Sequence, residues 1–260
     1  MLLKGMLHML TRGKKLLLLS TFLILSIVTT LAALRGQGQK WNPDEKDNPT
    51  VVQEGVMTER QKQHSKLYER SGRRNLRNSH RSLDVVVPPP FIAPDSEKMA
   101  SAIEELLRQE TCDADTVIIG SVSGKTSQFT EDGSFVFTDY DIQIEEVVKN
   151  SSSAPLQLSS SIIVTRPGGA VSFNGNVIRV IDKSFQPLEV GGKYLLFLQQ
   201  IPSSGAYQAI NSESSFQLDQ NRVRRLSTRQ LPYPFPYGND ATSFLNQINS
   251  IKSTCGRRLD

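Results

Sequence analysis

The chain has 260 residues, a formal net charge of +4 and two cysteines. Two cysteines without CxxC spacing exclude a zinc knuckle and a thioredoxin-like motif. Charge is uneven: residues 84–221 carry eight basic and eighteen acidic groups, and both flanks are basic. The favoured meaning is solubility, with attraction between flank and domain. The sharper one is a basic arm that touches a polyanion or a charged membrane face.

Lys4, Arg12, Lys14 and Lys15 precede an uncharged apolar run from Leu16 to Leu34. As a helix this run is about 28 Å long, close to the hydrocarbon thickness of a bilayer. The basic leader holds the N-terminus inside and sends the rest across. Residues 1–34 are therefore expected to be a cytoplasmic leader with a single-pass transmembrane helix. The alternative is a cleaved signal peptide, with Thr30 and Ala32 as small residues before the cut.

Residues 35–94 read as a basic linker. Apolar clusters are sparse, and Val56 to Tyr68 could form a short helix without a continuous stripe. Arg70, Arg73, Arg74, Arg77 and Arg81 follow with no acid among them. Such a segment buries too little apolar area to offset its ordering entropy, so disorder is expected. Pro88, Pro89 and Pro90 form a stiff spacer. No aromatic residues interleave the arginines for base stacking, so nucleic acid is not the expected partner.

The domain spans 95–255, with a tail at 256–260. A helix capped by Asp95 or Ser96 opens it, with Met99, Ile103, Leu106 and Leu107 at helical spacing. Strands follow at Thr116–Val122 and Phe135–Val148. In the second, Val136, Tyr140, Ile142, Ile144 and Val148 lie on or near one face, and Asp139, Asp141, Gln143 and Glu145 on a wet one. Asp132-Gly133 predicts the hairpin between them. Ile162–Thr165 ends at Pro167-Gly168-Gly169. Asn174-Gly175 joins Ala170–Phe173 to Val177–Ile181. Tyr194–Leu198 is apolar on both faces and belongs centrally. Tyr207–Ile210 and Phe216–Leu218 complete the strands. Leu231–Tyr237 is a proline-aromatic strap expected to pack on the domain. Asp240 caps a last helix carrying Phe244, Leu245, Ile248 and Ile251.

Six or seven short strands with a helix at either end predict a mainly β fold, a small Greek-key barrel of OB type. A β-sandwich is the competitor. Cys112 and Cys255 flank the two helices and are the candidate disulfide, which an exterior compartment would keep oxidised. Two unpaired thiols are the alternative.

Cys112, Ala114-Asp115 and Val117–Val122 resemble the first strand of netrin-like modules, which fold as OB barrels. The long second strand extends the likeness. Arg166-Pro167-Gly168-Gly169 and Val190–Leu198 resemble uncharacterised bacterial exported proteins of the same build. The likeness covers about residues 112–218 and implies a netrin-like fold at the cell exterior. Netrin-like protease inhibitors chelate zinc through a free N-terminal cysteine amine. Cys112 is internal, so that mechanism does not carry over.

No catalytic constellation is visible. Gly120-Ser121-Val122-Ser123-Gly124 puts Val122 where a nucleophile elbow needs serine. His8, His64 and His80 all lie outside 95–255, so neither a nucleophile pair nor a histidine zinc site is expected there. Asp139 with Asp141, and Asp113 with Asp115, offer oxygens for calcium, but a solvated face is the plainer reading. No cofactor is implied. The expected function is a non-enzymatic binding or structural module of the cell envelope, tethered through the lipid bilayer or secreted, with an envelope protein or polyanion as partner. One alternative is a carboxylate- or metal-dependent hydrolase, marked by an acidic pocket at Asp139, Asp141 or Glu145. The other is a netrin-like protease-inhibitor relative.

Overall fold

The computed structural model describes residues 49–51, 57–70, 72–88, 99–151, 153–202, 204–212, 214–226 and 240–255. All belong to one unit, Asn48–Asp260. The apolar run Leu16–Leu34, the strap Leu231–Tyr237, the cap at Asp95 or Ser96 and the tail lie outside the described residues. Among those described, no helix is long and apolar enough to cross a membrane.

The fold is mainly β. In chain order the elements are β1 (Thr50–Val51), α1 (Glu59–Tyr68), β2 (Leu83–Val87), α2 (Met99–Asp113), β3 (Thr116–Phe129), β4 (Val136–Lys149), β5 (Ser161–Pro167), β6 (Gly169–Phe173), β7 (Asn176–Asp182), β8 (Lys193–Gln200), β9 (Tyr207–Ala209), β10 (Ser215–Asp219), β11 (Arg222–Arg225) and α3 (Ala241–Thr254). A seven-stranded sheet runs β11-β10-β8-β3-β4-β5-β9, and β9 also pairs with β8. Five strands thus form a closed circuit, β3-β4-β5-β9-β8 and back to β3. Within it β5–β9 is parallel and the other four pairs are antiparallel. A four-stranded sheet, β1-β6-β7-β2, stands beside it.

Local chemistry explains the hairpins. Between β3 and β4, Gly133 takes φ +69°. Asp132 fixes that turn, since its Oδ1 accepts from the Ser134 amide, the Ser134 hydroxyl and the Thr130 hydroxyl. Between β6 and β7, Asn174 and Gly175 take φ +49° and +75°, the two positive values a twisted two-residue hairpin requires.

Three apolar clusters fill the molecule. Ile118, Tyr140, Ile142, Ile144, Val164, Tyr194, Leu196 and Leu198 lie on one side of the circuit strands. Val117, Ile119, Leu195 and Phe197 face the other way and pack with Leu107 of α2 and Phe244, Ile248 and Ile251 of α3. Both faces of β3 and β8 are covered, which accounts for their unbroken apolar runs. The third cluster joins Leu76, Phe129, Phe135 and Val136 to Val171, Phe173, Ile178 and Val180 of the smaller sheet.

The helices are held at their ends. Asp240 accepts from the Ser243 amide at 2.7 Å and caps α3. Lys149 Nζ donates to the carbonyls of Thr111, Cys112 and Ala114, which closes the C-terminal end of α2. Cys112 and Cys255 are joined as a disulfide, with Cα atoms 5.3 Å apart.

The described part of the 35–94 segment departs from the expected disorder. It supplies β1, α1 and β2, and β2 pairs with β7 over Leu83–Val87. Its apolar residues are as sparse as the sequence indicates. It is held by the β2–β7 ladder, by Leu76 and Tyr68, and by polar side chains that find partners on the domain, and composition does not reveal such pairings.

Candidate functional site

The segment from α1 to Arg77 is an arm that grips β4 and the β3–β4 turn. Thr58 caps α1 through a capping box with Gln61. That places His64 and Ser65 toward the domain, and both are fully buried. Ser65 Oγ accepts from the Glu131 amide at 2.6 Å. Tyr68 stacks on Phe137 at 5.6 Å between ring centroids, and burial pushes its hydroxyl well above the ordinary tyrosine pKa. The Arg70 amide donates to Ser134 Oγ, and the Arg70 guanidinium lies over Phe135. Arg77 donates to the carbonyls of Thr130 and Glu131 and lies over Phe129.

At the centre of this contact, His64 Nδ1 stands 2.9 and 3.1 Å from the two carboxylate oxygens of Asp139. Gln128 Nε2 donates to Oδ2 of the same carboxylate at 3.3 Å. Asp139 is only 9% exposed, so its half of the β4 face is not wet as expected. The arm covers it. The pair has the orientation that a general base uses, with a carboxylate on Nδ1. Yet Nε2 of His64 is buried and has no partner, so no substrate reaches it while the arm is docked.

The other carboxylates are dispersed. Asp141 is exposed. Glu145 pairs with Lys193 Nζ at 2.6 Å and accepts from Ser121 Oγ, and these contacts lower its pKa. Asp113 is exposed, and Asp115 accepts from the Gln200 amide at 2.8 Å. Asp139, Asp141 and Glu145 therefore occupy three different environments rather than one acidic pocket. Among the described residues, no three of His, Cys, Asp or Glu form a group able to hold a metal ion.

No family model matches the chain, and no curated protein matches it.

Two residues of consequence escape the sequence reading. His64 falls in the segment assigned to a linker, and nothing in its neighbours signals burial. Arg166 falls beside Pro167-Gly168-Gly169 and looks like the start of a turn. Its signal lies in the alternation Ile162, Val164, Arg166, which carries the apolar face of β5 one step further. Arg166 is 2% exposed.

Proposed function

We propose that the chain is a non-enzymatic, extracytoplasmic binding module, delivered by the apolar segment 16–34 and built on an OB-type barrel. The observation that carries this reading is the Cys112–Cys255 disulfide, because such bonds persist in oxidising compartments and are rare in the cytosol. The order and polarity of the five-strand circuit support the barrel, since four antiparallel pairs with one parallel closing pair suit a Greek-key arrangement. By that reading β4, β5 and the β3–β4 turn form the ligand-facing side, and the docked arm lies on it. Exposed Arg73 and Arg74 on the arm, with Arg81 just beyond it, supply charge for an anionic envelope polymer or protein. The lipid bilayer is the partner of the N-terminal helix.

The test is protease treatment of intact cells that make the full chain, combined with alkylation before and after reduction. Digestion from outside, with both cysteines alkylated only after reduction, is the expected result. A protected domain with two freely alkylated thiols would overturn the reading.

A further inference from the structure

β5 turns Ile162, Val164 and Arg166 to one side by its period of two, and the first two lie in the apolar cluster of the circuit. Arg166 shares that interior with a charge. None of its Nε, Nη1 and Nη2 atoms has a hydrogen-bond partner. A buried guanidinium is costly unless something pairs with it. Burial drives its pKa down, and Tyr140, Tyr68, Tyr194 and Asp182 oppose this only in part.

The surroundings suit a small anion. Tyr68, Tyr140, Tyr194 and Asp182 are the titratable groups that face Arg166. Asp182 faces the guanidinium through its charge but makes no hydrogen bond to it, and its Oδ1 accepts from the Ser184 amide at 2.9 Å. Tyr194 accepts from the Glu189 amide at 2.8 Å, which leaves its own proton to donate. Phe185, on the connection between β7 and β8, sits 5.1 Å from the guanidinium carbon. A ring offers π electrons but no hydrogen-bond acceptor of its own, so the guanidinium N–H groups stay without partners. The guanidinium edge is where paired N–H groups meet the two oxygens of a carboxylate or phosphate.

We propose that Arg166 anchors an oxyanion site inside the strand circuit, taking the carboxylate or phosphate group of a small molecule along its edge while Phe185 covers its face. Tyr194 completes the donor set. The β7–β8 connection is the cover: Tyr140 and Tyr194 accept from the backbone amides of Leu188 and Glu189 and hold it shut, so entry requires Phe185 to swing away. This deepens the binding reading and rests on it, but not on the compartment in which the domain resides.

The test uses the purified full chain in mild detergent, titrated with acetate and with inorganic phosphate against chloride at constant ionic strength. Thermal unfolding and titration calorimetry are the readouts. Excluded salts raise the unfolding temperature of any protein without saturating, so the signal is a saturable rise with a matching binding heat. Wild type is expected to show it with at least one of the two anions. Arg166→Met is expected to lose it, and Arg166→Lys, which keeps the charge but not the fork, to weaken it. Should Arg166→Met fail to fold, Arg166→Lys and the wild-type calorimetry still decide. No saturable heat in folded wild type, or an undiminished response in either variant, overturns the proposal. Protease shaving of cells bears only on the compartment, so failure there and failure here are separate results.

Discussion

The His64 imidazole and the Asp139 carboxylate meet at 2.9 Å across 75 positions of sequence. Their bond joins a helix with little apolar character to the longest hairpin of the domain. Burial without solvent competition makes such a contact specific, and removing one partner leaves the other stranded.

His64→Ala should therefore release the arm before the rest unfolds. A loss of about 2–4 kcal/mol is expected. Limited proteolysis should accelerate between residues 57 and 88, while backbone amides of β8 and α3 keep their hydrogen-exchange protection. Equal cleavage rates in variant and parent would count against a docked arm.

The disulfide spans a sequence separation of 143. A loop of that size is worth about 4–5 kcal/mol by the chain-entropy argument. Cys112→Ser with Cys255→Ser should lower the urea midpoint by a corresponding amount and leave the circular dichroism of the folded state unchanged. A midpoint that does not move would show that the bond adds no stability.

Glu110 is 3% exposed, and burial pushes its carboxyl up to about 7, with Asn211, Arg225 and Ser214 opposing. The folded state thus holds a proton that the unfolded chain releases near its ordinary 4.5. Stability from this group is fully present below about 4.5 and is lost as pH rises through about 7. The span corresponds to about 3 kcal/mol. Glu110→Gln should flatten the pH dependence of urea unfolding between pH 5 and 8 and leave the variant more stable than the parent at pH 8.

Gly169 has φ +140°. A Cβ there would collide with the hydroxyls of Thr138 and Ser127, which contact each other at 2.8 Å. Gly169→Ala should cost about 2–4 kcal/mol through both backbone and overlap. Calorimetric unfolding measures it, and a loss below about 1 kcal/mol would mean that the seam between the two sheets yields easily.

Much of the strand pattern is legible because period and turn chemistry are local. Ile142 and Ile144 reveal the inner face of β4, Asn174-Gly175 marks the β6–β7 hairpin, and Asp240 marks the start of α3. Tyr194–Leu198 declares a strand covered on both faces, and β8 is paired on both edges. The arm is hidden for the opposite reason. His64, Ser65 and Arg77 dock through individual hydrogen bonds to partners more than fifty residues away. Sequence carries no period for such contacts, and counting apolar residues biases the reading toward disorder. Asp139 is misread by the same logic, since its place on an outer face says nothing about what later covers that face.

The covalent tie between the end of α2 and the end of α3 divides the polypeptide into a ring and a branch. Every strand from β3 to β11 lies within the ring. A single proteolytic nick there leaves both pieces attached until the bond is reduced. A cut ahead of Cys112 severs the branch, and the His64-bearing arm is then retained only by its non-covalent grip. Processing between α1 and α2 would turn an internal clasp into a detachable peptide and uncover the Asp139 face of β4.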